Sequence, residues 1–289
     1  MSALKSLVSV FAAWILLSAC ADENFTPYRK LGSLRVLGMK AAQPELDLGQ
    51  STSLEAVVSF ATLQDQTLTH EVTACLDPSL GSGADASCDG APTNRVLLAP
   101  TALTLTAPHY TEVVSLPAVN VDDYLTAETF ASFAESLRYN GLSILVVYRI
   151  VASDGQSVQS SKSIRVSEGT KTVKNQNPSI AALQLDQQVL SAFPALGGSL
   201  TLEVNANEPT SEYTVQSATG AVVTLQEELA VTWFVSEGDL KVTRSVAASN
   251  LSSNEFTAAA EGEAKEAKTL VAVVRDGRGG SDVRVLKSP

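Results

Sequence analysis

The sequence is poor in the residues that carry metal and redox chemistry. Its 289 residues include three cysteines and two histidines, and no Cys-x-x-Cys or His-x-His spacing occurs. Zinc motifs depend on such closely spaced ligands, so we expect no metal site. The GxSxG, P-loop, HExxH and EF-hand patterns are also missing. We therefore predict no catalytic residues, no metal and no cofactor. His70 and His109 have no recognisable Ser or Cys partner motif, and Asp122-Asp123 suits a solvated pair.

Charge and long apolar runs are also scarce. Charged residues make up 18% of the chain, and 20 Lys+Arg against 31 Asp+Glu give a net charge of −11. A protein that neutralises many phosphates needs the opposite balance, so we expect no nucleic-acid partner. Hydrophobic residues make up 45%, which is enough for two modest cores at about 150 residues per domain. Only one segment is both long and apolar, which excludes a multi-span membrane protein.

That segment lies at the N-terminus and has the form of an export signal. Lys5 supplies a positive charge ahead of a thirteen-residue apolar run at positions 7–19. The run suits the apolar part of a signal peptide and is short for a membrane span of about 20 residues. It ends in Leu17-Ser18-Ala19-Cys20, in which an apolar residue and two small residues precede a cysteine.

This ending resembles the lipobox of bacterial lipoprotein precursors. The resemblance implies that residues 1–19 are cleaved as a lipoprotein signal peptide and that Cys20 is lipidated, which anchors the protein to a membrane. Ala21, and not Asp, follows the cysteine; in the enterobacterial sorting pattern this implies the outer membrane. The alternative is an ordinary signal peptide cut after Ala19, with Cys20 a chance neighbour.

The two remaining cysteines lie in a turn-rich stretch. Twelve residues separate Cys75 from Cys88. In an exported protein such a pair can close a small loop, so we predict a disulfide between them. Metal ligation and a reactive thiol are the rival interpretations.

The body of the chain has an all-β pattern. Short apolar runs alternate with turn residues about every ten positions, which predicts β-sandwich domains. We divide the chain into a lipidated tether at 20–33, a first β-sandwich domain at 34–167, a polar linker at 168–177 and a second β-sandwich domain at 178–289. One short helix is predicted in the first domain. It begins after Thr126, carries an apolar stripe from Phe130 to Leu137, and ends at Asn140-Gly141.

Both halves close in a similar way. Residues 141–152 form the strongest strand, followed by an Asp154-Gly155 turn and a strand at 158–166. Residues 269–274, the turn at 275–280 and residues 282–286 repeat this order. The parallel indicates a weak internal repeat of two domains.

The second domain also contains a tryptophan in its middle strand. Leu229, Val231 and Trp233 alternate onto one side of that strand and are expected in the core. Together with the terminal Asp-Gly hairpin, this pattern resembles bacterial immunoglobulin-like modules, including the polycystic-kidney-disease and cadherin-like types. The resemblance implies two tandem Ig-like β-sandwich domains. No cysteine pair brackets Trp233, so the inter-sheet disulfide of antibody domains is missing.

The turn ArgAspGlyArgGlyGly at 275–280 admits two interpretations. As structure, Asp276 and three glycines make a tight hairpin loop. In the functional interpretation, Arg275 and Arg278 form a positively charged tip that binds an anionic partner. Calcium at the domain junction is disfavoured, because residues 168–177 hold two lysines and one acid.

These features predict a lipid-anchored, non-enzymatic protein of the bacterial cell envelope, placed at the outer membrane. It would act as a binding, adhesion or spacer module, with the membrane and an unidentified envelope protein or glycan as partners. The alternatives are an envelope hydrolase that acts on cell-wall glycan or peptide through carboxylates that converge on folding, and a structural subunit of an envelope assembly.

Overall fold

The computed structural model describes residues 28–60, 67–77, 86–105, 111–171, 173–205, 212–247, 249–260 and 267–288. The predicted signal peptide, Cys20 and His109 lie outside these ranges. The described residues form an all-β sandwich fold with several sheets, and the predicted fold class is confirmed. Among them, no helix is long and apolar enough to cross a bilayer.

The first half of the chain forms two facing sheets, here called the first sandwich. One sheet has the order β1-β3-β6, and the other has the order β2-β8-β7-β4-β5. All neighbours are antiparallel except β2 and β8, which pair in parallel. The strands are β1 (Arg35–Ala41), β2 (Glu45–Leu46), β3 (Ser51–Ser59), β4 (Leu68–Leu76), β5 (Arg95–Leu103), β6 (Thr111–Asn120), β7 (Leu142–Ala152) and β8 (Ser157–Val166).

The predicted single helix is divided in the structure. A 3-10 turn at Val121–Asp123 precedes α1 (Ala127–Ala131) and α2 (Glu135–Asn140). Thr126 caps α1 as predicted, because its hydroxyl accepts a hydrogen bond from the Thr129 amide at 3.1 Å. The apolar stripe splits with the helix: Phe130 is buried in the core, whereas Leu137 is 43% exposed.

Strand β7 has the central position that its apolar character predicts. Its inner side chains, among them Ile144, Tyr148 and Ile150, are fully buried between the sheets. On the outer face, Leu145 and Val147 pack against Cys75 and Cys88. Among the described residues, this part of the outer face is therefore covered by the end of the β4–β5 connection.

A disulfide holds that connection in place. The Sγ atoms of Cys75 and Cys88 lie 2.08 Å apart, and both residues are buried. The bridge links β4 to the described residues ahead of β5. It thereby keeps the chain over Leu145 and Val147.

The second half of the chain forms the second sandwich. Its sheets have the orders β10-β9-β11-β17-β15 and β16-β14-β18-β19, and β12 and β13 form a separate hairpin. The strands are β9 (Ile180–Leu185), β10 (Gln188–Val189), β11 (Gly198–Val204), β12 (Glu212–Gln216), β13 (Val222–Gln226), β14 (Leu229–Val235), β15 (Asp239–Leu240), β16 (Arg244–Ala247), β17 (Leu251–Thr257), β18 (Thr269–Arg275) and β19 (Ser281–Lys287).

Trp233 is the largest side chain in the core of the second sandwich. It is fully buried with Leu229 and Val231, as the alternation along β14 predicts. Its indole N–H donates to the Ser245 hydroxyl at 2.7 Å, so the polar end of the ring has a partner.

An apolar cluster joins the outer faces of the two sandwiches. Leu37 and Val57 of the first sandwich pack against Phe234, Val271 and Val273 of the second. A β-bulge in β1 explains the position of Leu37, because Val36 pairs with Val58 and Gly38 pairs with Val57. The extra residue turns outward, and Leu37 is only 3% exposed.

Glycine at position 38 lets the two sheets approach closely. A Cβ at Gly38 would lie 3.1 Å from Cγ1 of Val273 and 3.5 Å from Cγ2 of Val283. Any larger side chain would push against β18 and β19. The bulge and the glycine together let β1 contact the second sandwich closely.

The segment that precedes β1 also lies on the second sandwich. Arg29 and Leu31 exchange backbone hydrogen bonds of 2.8 Å with Val235, and the Arg29 guanidinium pairs with both carboxylate oxygens of Asp239 at 2.8 and 3.0 Å. This hydrogen-bonded pair lowers the pKa of Asp239. Within the predicted tether at 20–33, residues 28–31 thus lie against the second sandwich and do not form a free linker.

We expect the disulfide to contribute about 3 kcal/mol to the free energy of unfolding, because it closes a loop of thirteen positions. A Cys75→Ser/Cys88→Ser double variant should lose that amount in urea unfolding. It should also bind more of a hydrophobic dye as Leu145 and Val147 lose their cover. Reduction of the unmodified protein should give the same shift, and equal stability with and without the bridge would contradict the assignment.

We expect Leu37→Ala to destabilise the protein by about 2–5 kcal/mol, the usual cost of truncating a buried leucine. The matched control is Leu251→Ala, since Leu251 is 50% exposed and its truncation should change stability by less than about 0.5 kcal/mol. Chemical denaturation of both variants measures the difference. Equal effects would mean that the cluster at Leu37 does not hold the sandwiches together.

Candidate functional site

The turn between β18 and β19 lies at the junction of the two sandwiches. Asp276 organises it: one carboxylate oxygen accepts the backbone N–H groups of Arg278 at 2.7 Å and Gly280 at 2.8 Å. The other oxygen accepts from the Asn175 side chain at 2.7 Å. Asp276 is 4% exposed, and its carboxylate accepts these hydrogen bonds from groups within the protein.

Glycines allow this turn to press against the first sandwich. Gly279 has a φ of +111°, and a Cβ there would lie 3.0 Å from the carbonyl oxygen of Ser163 on β8. Gly280 leaves room for the Asp276 carboxylate and for the carbonyl of Gln176. The predicted hairpin loop is therefore present, and its glycines serve close packing as well as the turn.

Arg275 and Arg278 both have partners within the chain. Arg275 donates to the carbonyl of Leu37 at 2.7 Å and to the hydroxyl of Thr232 at 3.2 Å. It thus ties β18 to the bulge of β1. The predicted positive tip for an anionic partner is engaged in intramolecular contacts at this position.

Arg278 makes an ion pair with a fully buried carboxylate. Its Nε and Nη2 atoms both lie 2.7 Å from Oε1 of Glu227, and its Cζ lies 4.3 Å from the centre of the Tyr213 ring. The Glu227 side chain has 0% exposure. Burial raises the pKa of Glu227 to about 7, against the opposing effect of the Arg278 charge.

The predicted linker forms part of the same polar junction. Lys171 and Glu45 make a buried ion pair at 2.7 Å, and the backbone N–H of Asn175 donates to Glu45 at 2.6 Å. Burial alone would raise the pKa of Glu45, but hydrogen bonds from Lys171 and Ser167 lower it overall. Lys171 and Asn175 of the predicted linker are thus buried at the junction, whereas Gly169, Thr170, Val173 and Gln176 are exposed.

A buried lysine crosses the junction nearby. The Lys162 ammonium on β8 donates to the Ser281 hydroxyl on β19 at 2.8 Å, and that hydroxyl donates to the Met39 carbonyl on β1 at 2.8 Å. No carboxylate lies within 4 Å of Lys162 among the described residues. Burial lowers the pKa of Lys162 to about 8.

The β12–β13 hairpin contacts α2 on the other side of the junction. The Asn140 side chain pairs with the backbone of Gln216: its Nδ2 donates to the carbonyl at 2.8 Å and its Oδ1 accepts the N–H at 2.7 Å. The Tyr139 and Thr214 hydroxyls lie 2.9 Å apart. The sequence does not predict this hairpin, because every residue of β13 is exposed and the strand lacks an alternating pattern.

These elements enclose the junction cleft, a space of about 210 Å³ between the sandwiches. Glu45, Asn140 and Arg165 line it from the first sandwich, and Lys171 lines it from the connecting segment. Tyr213, Thr214, Val215 and Arg278 line it from the second sandwich. The cleft is thus rich in cationic groups in a chain whose net charge is −11.

A larger groove of about 550 Å³ lies beside residues 30–31 and 236–239. Its two acidic residues are both ion-paired, Asp239 with Arg29 at 2.8 Å and Glu237 with Lys268 at 2.8 Å. We take the smaller junction cleft as the candidate site because charged groups from three separate parts of the chain meet there.

The other residues singled out in the sequence lie away from this cleft. The Nδ1 atom of His70 is 3.2 Å from the Tyr148 hydroxyl, and burial lowers the His70 pKa. Asp122 accepts the Gly49 backbone N–H at 3.0 Å, and Asp123 lies 3.9 Å from Arg95. Within the described ranges, no group of three or more His, Cys, Asp or Glu side chains is placed to hold a metal ion.

The depressed pKa of Lys162 predicts a rise in stability at alkaline pH. Between about pH 8 and the ordinary lysine pKa of 10.5, the unfolded chain holds a proton that the folded chain has lost. The free energy of unfolding should therefore increase over this range, by roughly 1.4 kcal/mol for each unit of pKa difference.

Lys162→Met should remove this rise and should be at least as stable as the unmodified protein at pH 7. Urea unfolding between pH 7 and 10.5 measures the effect, with the exposed Lys241→Met as the control for other titrating groups. A profile of Lys162→Met that runs parallel to that of the unmodified protein would show that the ammonium is not desolvated at the junction.

Comparisons with known proteins do not assign the chain to a family. No model of a known protein family matches it, and a search of curated proteins finds no significant match.

Proposed function

We propose that the chain is a lipid-anchored protein of the bacterial cell envelope that acts without catalysis, as a rigid spacer and binding module. The lipobox-like ending at Cys20 supports the anchor, and Ala21 in place of Asp after the cysteine supports the outer membrane as the location. The partners are the membrane, through the lipid, and an envelope protein or glycan.

The disulfide supports export. Disulfides form and persist in oxidising compartments and are rare in the cytosol. The Cys75–Cys88 bridge holds a covering segment over the outer face of β7. A segment held by a disulfide is therefore consistent with an exported protein.

The docked N-terminal segment is the observation that carries the spacer role. Residues 28–31 follow Cys20 by only eight positions, and they pair with β14 of the second sandwich. The next strand, β1, packs through Leu37 against the same sheet. An anchor at Cys20 would thus act on both sandwiches together, because residues 28–31 contact one sandwich and lead into the other.

The sandwich fold supports a binding role. Trp233 on a central strand and the hairpin that follows β18 agree with the resemblance to bacterial immunoglobulin-like modules. The junction cleft gives such a module a polar recess lined by residues of both sandwiches. A carboxyl that acts as a hydrolase's acid must reach its substrate, whereas the Glu227 side chain is fully buried.

The anchor is tested by labelling cells with radioactive palmitate. The full chain should take up label and fractionate with the membranes, and Cys20→Ala should lose both properties because the acylated sulfur is gone. The Cys75→Ser/Cys88→Ser variant is the matched control and should keep the label. Label that persists in Cys20→Ala, or never enters the full chain, would overturn the proposal.

The binding role is tested by crosslinking the anchored protein in cells and identifying its neighbours by mass. A recurring envelope protein or glycan fragment would support the proposal. Release of soluble fragments from purified cell wall by the full chain would instead favour the hydrolase alternative. A fixed stoichiometry with several envelope proteins would favour the assembly subunit.

A further inference from the structure

Three cations line the junction cleft, and only two of them are paired with a carboxylate. Lys171 is paired with Glu45 at 2.7 Å, and Arg278 is paired with Glu227 at 2.7 Å. Arg165 has no carboxylate within 4 Å among the described residues. It is therefore the cation of the cleft whose charge is not matched by direct contact.

The hydrogen bonds of Arg165 leave part of its guanidinium unused. Nε donates to the carbonyl of Arg278 at 3.1 Å, and Nη1 donates to the carbonyl of Asn140 at 3.1 Å. A guanidinium has five N–H donors in a fixed plane. These two bonds hold the group in position at the cleft wall, and its remaining donors have no acceptor in the described part of the chain.

The charges around Arg165 leave the cleft positive. The Glu45 carboxylate is already shared between Lys171 and the Asn175 backbone. The Glu227 carboxylate is paired with Arg278 and does not line the cleft. Among the side chains that line the cleft, three are cationic and one, Glu45, is acidic.

We propose that the junction cleft binds an oxyanion group, a carboxylate or a phosphate, through the free N–H donors of Arg165. The planar guanidinium fork matches the geometry of both groups and forms two parallel hydrogen bonds with either. The two carbonyl contacts orient the fork before the ligand arrives. This inference rests on the binding role proposed above, and it is independent of the lipid anchor.

The size and lining of the cleft limit the ligand to one terminal group. A space of about 210 Å³ is smaller than the roughly 300–1,000 Å³ of sites that enclose a drug-sized molecule. Tyr213 and Thr214 on the hairpin are half-buried and offer a ring and a hydroxyl at the cleft wall. The oxyanion would therefore enter while the rest of the ligand stays outside.

The test is a calorimetric titration of the purified full chain in mild detergent. Sodium glucuronate supplies a carboxylate, inorganic phosphate supplies the other oxyanion, and glucose is the uncharged control. We expect saturable binding of at least one of the anions, weakened by added salt, and no binding of glucose. The anion that binds more tightly identifies the group.

Arg165→Gln should weaken binding at least about tenfold, since hydrogen bonds to charged groups contribute about 1.5–3 kcal/mol. The matched control is Arg149→Gln on β7, which removes an arginine that is half exposed and lies outside the cleft. Its affinity should be unchanged.

A second variant tests the cleft independently, in case Arg165→Gln fails to fold. Val215→Glu places a carboxylate on the cleft wall, where it should occupy Arg165 and abolish binding. The absence of saturable binding by both anions, or undiminished binding by folded Arg165→Gln and Val215→Glu, would overturn the inference. Palmitate labelling reports on the anchor separately, so failure of one proposal is distinguishable from failure of the other.

Discussion

The contact between β1 and the β14–β18 sheet is the interaction on which the rest of the structure depends. A bulge turns Leu37 outward from β1, and Gly38 allows β1 to approach Val273 closely. Without this apolar contact the two sandwiches would be joined mainly through residues 168–177 and the polar groups around them. With it, those polar groups are held within hydrogen-bond distance of one another, and a cleft with fixed walls results.

The apolar contact alone does not fix how the two sandwiches are oriented, and the hydrogen bonds of the polar junction do. Arg275 reaches the carbonyl of Leu37, Lys162 reaches Ser281, and Asp276 reaches Asn175. Buried charges of this kind contribute little net stability, because desolvation offsets much of their attraction. Their value lies in fixing one arrangement of the two sandwiches, and the same arrangement leaves Arg165 with unused donors in the junction cleft.

Much of the fold can be predicted from the sequence, because strand alternation, turn residues and caps are local signals. The buried Trp233 strand, the Asp154-Gly155 hairpin and the Thr126 cap follow directly from such patterns. The candidate site cannot be predicted in this way. A polar segment with Lys171 is typical of an exposed linker, and the burial of Lys171 depends on its pairing with Glu45, which lies 126 positions away. The docking of residues 28–31 likewise depends on Val235, far along the chain.

A distance measurement between the two sandwiches tests the central claim most directly. Spin labels at Thr69 and Glu203, two exposed positions on different sandwiches, can be attached through introduced cysteines in a Cys20→Ala chain, since Cys75 and Cys88 are bonded to each other. The structure predicts a single narrow distance distribution by double electron–electron resonance. A broad distribution, of the kind that two domains on a flexible linker produce, would contradict it.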